Sequence, residues 1–156
     1  MNWQDLCEDT RLQNLPFKIE LNEQGQIVMT PVKVYHSLYQ GRMTGLLYSH
    51  LKKGDVLVEC AIKTRKGTKV VDVAWASDER LEQIKDEVEC SLAPEICIEI
   101  MSSSNTKEEM DMKKNLYFEK KAKEVWICSE RGNISFYGVK GELEHSLLAP
   151  RFPKNV

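Results

Sequence analysis

Two carboxylates stand inside apolar stretches that have the pattern of buried strands. Asp72 lies within Val70–Trp75, and Glu99 lies within Ile96–Met101. A carboxylate is costly to bury unless it pairs with a cation or binds a metal ion. If the two strands are neighbours, Asp72 and Glu99 could share one cation, and Mg²⁺ commonly takes one or two carboxylates together with water and phosphate. The pair therefore predicts a Mg²⁺ site, which Mn²⁺ could also fill, for chemistry on phosphate.

The two-residue period of a strand predicts which side chains share a face. Val71, Val73 and Trp75 are expected on one face, and Asp72 on the other beside two small alanines. In the second stretch, three isoleucines share one face and Glu99 lies opposite. Both carboxylates are thus expected on the less apolar side of their strand.

A lysine occupies an inward position on the helix expected from Thr106 to about Ala122. Side chains three and four residues apart share a helix face. The inward stripe consists of Met110, Lys113, Leu116 and Tyr117. An inward lysine beside two carboxylates would pair with them, and it could hold a water or offset the charge that develops on a phosphate. Asp72, Glu99 and Lys113 are therefore the predicted catalytic residues.

Each of these residues also has a structural interpretation. A single strand carboxylate is often part of an ion pair, and Lys113 could extend past the end of the sheet into solvent. Composition and spacing alone leave the function open between these readings.

Composition sets further limits. A chain of 156 residues with 42% hydrophobic and 29% charged residues is typical of one globular domain. The net charge of −2 means that any affinity for phosphate must come from local clusters. The five cysteines form no CxxC pair, which favours reduced thiols. Without a signal-peptide pattern or a long apolar stretch, we expect a cytoplasmic protein with no membrane partner.

The elements that must position the three residues follow an α/β order. Helices are predicted over residues 2–13, over 32–51 with Pro31 at the start, from Ser77 onward and over 106–122. Strands are predicted at 17–21, 26–29, 56–62, 69–75, 96–101, 125–128 and 134–137. This order predicts one domain, residues 1–156, with a mixed sheet flanked by helices. Residues 1–15 are expected to be an N-terminal extension and residues 145–156 a C-terminal tail.

Several segments recur in the same order in a known family. They are Lys18–Pro31, His36, Val71–Ala74, Ala93–Ser102, Lys113–Tyr117 and Glu124–Cys128. From about residue 15 onward, the chain resembles the Uma-two family of the PD-(D/E)XK nuclease-like superfamily, which has a restriction-endonuclease-like fold. The resemblance implies an αβββαβ core, to which the predicted elements add an N-terminal strand pair and a C-terminal hairpin. It also implies a Mg²⁺-dependent endonuclease that hydrolyses phosphodiester bonds.

The resemblance also assigns residues. Asp72 matches the aspartate of the family motif, although Val71 replaces its proline, and Glu99 matches the second acidic position. The motif lysine would fall at Met101, which cannot serve. In such sequences a lysine on the following helix is thought to substitute, and Lys113 stands there.

Four further residues are expected to support the site. Glu20 and His36 match recurring family positions, and Gln40 lies one helical turn after His36. Glu59, which alternates with apolar neighbours, is a reserve carboxylate. For His36 and Glu59, a purely structural role is equally open.

A basic hairpin leads into the strand of Asp72. Its basic residues are Lys63, Arg65, Lys66 and Lys69. They could grip the backbone of a nucleic acid, with DNA the expected partner, or they could form an ordinary solvated turn. We expect a homodimer. Two alternatives stay open: a catalytically inactive nucleic-acid-binding module, and a homodimeric interaction domain that uses the apolar tail with Phe152.

Overall fold

The computed structural model describes residues 1–156, in which eight strands and four helices alternate along the chain. The helices are α1 (Trp3–Glu8), α2 (Val34–His50), α3 (Asp78–Ile84) and α4 (Lys107–Glu119), with a 3₁₀ turn at Thr10–Leu12. The strands are β1 (Phe17–Leu21), β2 (Ile27–Pro31), β3 (Asp55–Thr64), β4 (Gly67–Ala76), β5 (Ile96–Ile100), β6 (Glu124–Cys128), β7 (Ile134–Gly138) and β8 (Gly141–Leu143).

Six strands form the main sheet, in the order β3-β4-β5-β6-β7-β8. Only β5 and β6 pair in parallel, and α4 provides the crossover between them. Strands β1 and β2 form a separate antiparallel hairpin. The predicted mixed α/β fold with an αβββαβ core is therefore confirmed, as α2-β3-β4-β5-α4-β6. The predicted final hairpin carries one strand more than expected, because β8 extends it.

Helices cover both faces of the sheet. On one face, α2 contributes Met43 and Leu47 to a core that includes the isoleucines of β5. On the other face, α3 and α4 contribute Ile84 and Tyr117 to a second core. None of the four helices combines the length and the apolar character that a membrane-spanning helix needs.

The C-terminal tail completes the first core. Phe152 is 3% exposed, and the centroid of its ring lies 4.7 Å from that of Trp126. The backbone N–H of Val156 donates a hydrogen bond to the carbonyl of Gly132. Phe152 is therefore buried inside its own chain and does not offer the exposed apolar contact that the dimer alternative assigned to it.

Two predicted element bounds are wrong near the N-terminus. Pro31 ends β2, where it pairs with Phe17, instead of beginning the next helix. A proline is tolerated there because a strand at the edge of a sheet leaves its N–H groups unused. The helix predicted within residues 2–13 ends at Glu8, since the Asp9 side chain accepts a hydrogen bond from the N–H of Arg11 and begins the 3₁₀ turn.

The predicted alternation along β4 is also wrong at one position. Val71 packs in the second core with Ala74, whereas Val73 packs in the first. The break falls at Asp72. Glu59, the residue of β3 opposite this point, is left out of the pairing and has a φ of +56°. A left-handed residue departs from the extended backbone of a strand, and the change of side-chain face in β4 coincides with this gap in the pairing of β3 and β4.

Candidate active site

The candidate site lies where β4 and β5 separate. The last residues paired between the two strands are Val73 and Ile98, and the next pair would join Asp72 to Glu99. Beyond this pair, a side-chain contact takes the place of backbone pairing: Asp72 Oδ2 accepts a hydrogen bond of 2.7 Å from the N–H of Ile100. The two predicted metal ligands therefore lie side by side, as the sequence predicted for neighbouring strands.

The hairpin of β1 and β2 packs beside the free end of β4. Glu20 Oε2 accepts a hydrogen bond of 2.7 Å from the N–H of Val70, and Lys69 Nζ lies 3.4 Å from the carbonyl oxygen of Leu21. These contacts fix the position of β1. Since residues two apart on a strand share a face, Lys18 and Glu20 both reach the site.

Lys18 bridges the two predicted metal ligands. Its Nζ lies 2.9 Å from Asp72 Oδ1 and 3.3 Å from Glu99 Oε2. The side chain of Lys18 is only 10% exposed. Lys18 was not among the predicted site residues, although its spacing from Glu20 in a short strand would have placed both on one face. The contact of Lys18 with the two carboxylates could not be predicted from local spacing, because Lys18 is 54 residues from Asp72 and 81 from Glu99 along the chain.

Helix α4 brings a second lysine from the opposite direction. The inward stripe of four side chains is buried as predicted. Lys113 Nζ lies 3.0 Å from Glu20 Oε1 and 3.6 Å from Glu99 Oε1. Tyr117, one turn later, donates its hydroxyl to the same Oε1 of Glu99. Lys113 thus lies beside one predicted metal ligand and is held by Glu20.

Helix α2 holds Asp72 from the other side of the sheet. His36 Nε2 lies 3.1 Å from Asp72 Oδ1, and Gln40 Nε2 donates a hydrogen bond of 3.2 Å to the Asp72 carbonyl oxygen. The predicted shared face of His36 and Gln40 is therefore confirmed. His36 Nδ1 is buried without a hydrogen-bond partner.

The charges shift the pKa values of the two predicted ligands in opposite directions. Burial by itself raises the pKa of Asp72, but Lys18 and the hydrogen bond from His36 outweigh it and lower that pKa. Burial also raises the pKa of Glu99, and there it outweighs the opposing attraction of Lys113 and Lys18. Asp72 is thus held as an anion, whereas Glu99 takes up a proton more readily than an ordinary glutamate.

The pKa values of two cations in the cluster, Lys18 and His36, are shifted by the same balance of burial and opposite charge. Burial by itself lowers the pKa of Lys18, but the attraction of Glu99 and Asp72 outweighs it and raises that pKa. For His36, burial likewise acts to lower the pKa, but the hydrogen bond to Asp72 and the attraction of its negative charge together outweigh burial and raise that pKa. Both shifts favour the charged form beside the carboxylates.

The structure does not bring the other predicted residues into this cluster. Glu59 is exposed on β3. Arg65 and Lys66 each form an ion pair with a nearby glutamate, at 3.1 and 3.2 Å. Lys69 is buried against the β1 hairpin, whereas Lys63 is exposed and forms no ion pair within 4.0 Å. The hairpin therefore offers one free cation at its surface.

The cluster lies at the base of a cleft between α2, the β1 hairpin and the loop after β5. The cleft is small, with a cavity volume of about 40 Å³. At its rim, Lys33 Nζ donates a hydrogen bond of 2.8 Å to Ser103 Oγ. The hydroxyl of Tyr35 donates one of 3.1 Å to the carbonyl of Met101. A substrate that reaches Asp72 would enter between these groups.

The donor set suits a hard divalent cation. Asp72 Oδ1 and Glu99 Oε2 already converge on one cation, the ammonium of Lys18, and carboxylate oxygens are the ligands that Mg²⁺ prefers. No group of three or more His, Cys, Asp or Glu side chains has the arrangement of a metal site. An ion would therefore be held by these two carboxylates and would complete its shell with water or substrate.

Comparisons with known proteins agree with this architecture. The search of curated proteins gives no match. A solved structure, described as "a putative nuclease belonging to DUF820 from Anabaena variabilis", has a similar fold, with a TM-score of 0.68 and 15% sequence identity. The match covers 88% of this chain and 79% of that one. The model of the Uma2 family, described as "Putative restriction endonuclease", matches residues 3–147. The chain therefore belongs to the Uma2 family, and its fold is that of a nuclease-type protein.

Proposed function

We propose that the protein is a metal-dependent endonuclease that hydrolyses phosphodiester bonds in DNA. One observation carries this proposal: the carboxylates of Asp72 and Glu99 meet on a single cation position at the base of an open cleft. A second ammonium, that of Lys113, lies 3.6 Å from Glu99. Two acids that share a cation, with a further positive group beside them, suit the stabilisation of a charged phosphate.

The position of each site residue suggests its role in the proposed reaction. Asp72 and Glu99 would hold Mg²⁺ or Mn²⁺. When bound, the ion supplies Lewis-acid stabilisation of the charge that develops on the phosphate. Lys113, held by Glu20 at 3.0 Å, orients a water or offsets that charge. His36 and Gln40 position Asp72, whose lowered pKa keeps it anionic and ready for a cation.

The remaining parts of the proposal concern the substrate and its setting. Of the basic hairpin, Lys63 is free to contact a DNA backbone, whereas Arg65 and Lys66 must first release their glutamates. No disulfide joins any of the five cysteines, although Cys60 Sγ and Cys90 Sγ lie 3.4 Å apart, and free thiols support the proposal of a reducing, cytoplasmic location. A homodimer is the assembly we propose, and sedimentation at several protein concentrations tests it.

One alternative has an observation in its favour. Lys18 already neutralises the two carboxylates at short distance. A chain in which this lysine never leaves would bind nucleic acid without cutting it. Retention of DNA with no cleavage in Mg²⁺ or Mn²⁺ would select this inactive binding module.

The test is the nicking of supercoiled plasmid DNA in Mg²⁺ or Mn²⁺, with RNA of matching sequence assayed in parallel. We expect Asp72→Asn and Lys113→Met each to lower the rate by at least about 100-fold, as for the loss of one group that stabilises a transition state. Lys114→Met is the matched control, because the neighbouring Lys114 contacts Asp111 and the ring of Tyr137 instead. Equal rates in the wild type and all three variants would overturn the assignment of the site.

A further inference from the structure

We propose that Lys18 is a built-in competitor of the divalent cation: its ammonium fills the position between Asp72 and Glu99 and must leave before a metal ion binds there. This inference rests on the proposed metal site. Lys18 Nζ contacts Asp72 Oδ1 at 2.9 Å and Glu99 Oε2 at 3.3 Å, so that both oxygens that would hold the ion are already engaged.

The two cations exclude one another for steric and electrostatic reasons. Mg²⁺ binds carboxylate oxygens at about 2.0–2.1 Å and demands near-ideal octahedral geometry. An ion held by Asp72 Oδ1 and Glu99 Oε2 would lie in the space between these atoms, which the ammonium of Lys18 now fills. Two positive charges so close together in a buried site repel strongly. Metal binding therefore requires the displacement of Lys18.

Lys113 is placed differently and need not move. It contacts Glu99 through Oε1, at 3.6 Å, and leaves Oε2 to Lys18. Its closer partner is Glu20, whose other oxygen accepts a hydrogen bond from the N–H of Val70. Lys113 is thus anchored to one side of the cation position, whereas Lys18 lies within it.

The cleft gives Lys18 a place to go. The backbone of Lys18 is held in β1 by its pairing with Thr30 of β2, so the side chain must carry the motion. A lysine has a flexible four-carbon stem. Lys18, Thr30 and Pro31 all line the same open cleft. The ammonium can therefore swing toward the cleft without a change in the hairpin.

The test measures Mn²⁺ affinity by calorimetry on full-length, metal-stripped protein, without nucleic acid. We expect Lys18→Met, which removes the charge and keeps most of the stem, to bind Mn²⁺ at least about tenfold more tightly than the wild type. Lys18→Arg, which keeps a cation at this position, is expected to bind no more tightly than the wild type. Lys33→Met is the matched control, because Lys33 lies at the rim of the same cleft and bonds to Ser103.

Lys18→Gln provides the same comparison on a variant that keeps a hydrogen-bond donor for Asp72. Affinity that is unchanged or weaker in both Lys18→Met and Lys18→Gln would overturn the proposal, as would an equal gain in Lys33→Met. Binding that survives Asp72→Asn would also overturn it, because the ion would then lie elsewhere. Tighter Mn²⁺ binding by Lys18→Met in a protein that never nicks DNA would support the competition and refute the nuclease function.

Discussion

Glu99 and Glu124 are buried on neighbouring parallel strands, with exposures of 1% and 2%, but different groups satisfy their carboxylates. Glu124 accepts four hydrogen bonds from neutral donors. Two come from the side chains of Trp126 and Ser146, at 2.8 and 2.7 Å. The other two come from the backbone N–H groups of Leu147 and Leu148, at 2.7 and 3.1 Å. These donors tie the C-terminal segment to the start of β6.

Glu99 instead has charged partners. The ammonium groups of Lys18 and Lys113 lie at 3.3 and 3.6 Å, and the hydroxyl of Tyr117 completes its contacts. One cation can replace another, whereas fixed neutral donors leave no position for a ligand. Burial alone therefore does not distinguish a structural carboxylate from a ligand-binding one. The charge and mobility of its partners do.

The same substitution, glutamate to glutamine, is expected to affect nicking at Glu99 and stability at Glu124. Glu99→Gln is expected to lower the rate of metal-dependent nicking by about 100- to 1000-fold, since an amide binds a divalent cation poorly. Its free energy of unfolding should stay within about 1 kcal/mol of the wild type, because Lys18 keeps its pairing with Asp72. Plasmid nicking and urea unfolding measure the two effects. A normal nicking rate would remove Glu99 from the site.

Glu124→Gln should give the reverse result. An amide nitrogen cannot accept hydrogen bonds, so two of the four donors around Glu124 lose their acceptor. We expect a loss of about 3 kcal/mol in the free energy of unfolding, because buried donors are left unsatisfied. Urea unfolding measures it, and Mn²⁺ affinity should not change. Weakened Mn²⁺ binding in a folded Glu124→Gln protein would contradict the assignment of Glu124 to a structural role.

A milder change tests the tail that Glu124 secures. Phe152→Leu is expected to lower the free energy of unfolding by about 1 kcal/mol, because the smaller side chain loses part of its packing against Trp126. Urea unfolding measures the loss, and the sedimentation coefficient should not change. A change in the oligomeric state would instead support the hypothesis that Phe152 lies in an interface between copies of the chain.

The smallest expected effect is a pH dependence in the cleft region. Burial acts to lower the pKa of His36, but the hydrogen bond to Asp72 and the attraction of its charge together outweigh burial, so the pKa in the folded protein is raised above its unfolded value of about 6.5. The stabilising contribution of His36 is therefore fully present below the unfolded pKa and is lost as the pH rises through the folded pKa. With a chelator present to remove metal ions, the unfolding free energy of the wild type should exceed that of His36→Gln by an amount that shrinks from about pH 6 upward. A difference that grows with pH would contradict this sign.

Much of the site could be predicted from local patterns. The helical spacing that predicted an inward Lys113 and a shared face for His36 and Gln40 holds in the structure. Such spacings depend only on residues close in the chain, so they survive whatever the rest of the molecule does. The strand period failed at Val71, at the point where β3 and β4 lose their pairing beside Glu59, because pairing between strands distant in the chain is not encoded in the local pattern.

The α/β order of elements and the family could be predicted from local periodicity and ordered motifs. The contact of the Lys18 ammonium with Asp72 and Glu99 depends instead on tertiary packing. That contact joins residues 54 and 81 positions apart, and it depends on how the β1 hairpin packs beside the gap between β4 and β5. No local pattern encodes such a packing, because the free energy that fixes it comes from contacts distributed over several elements.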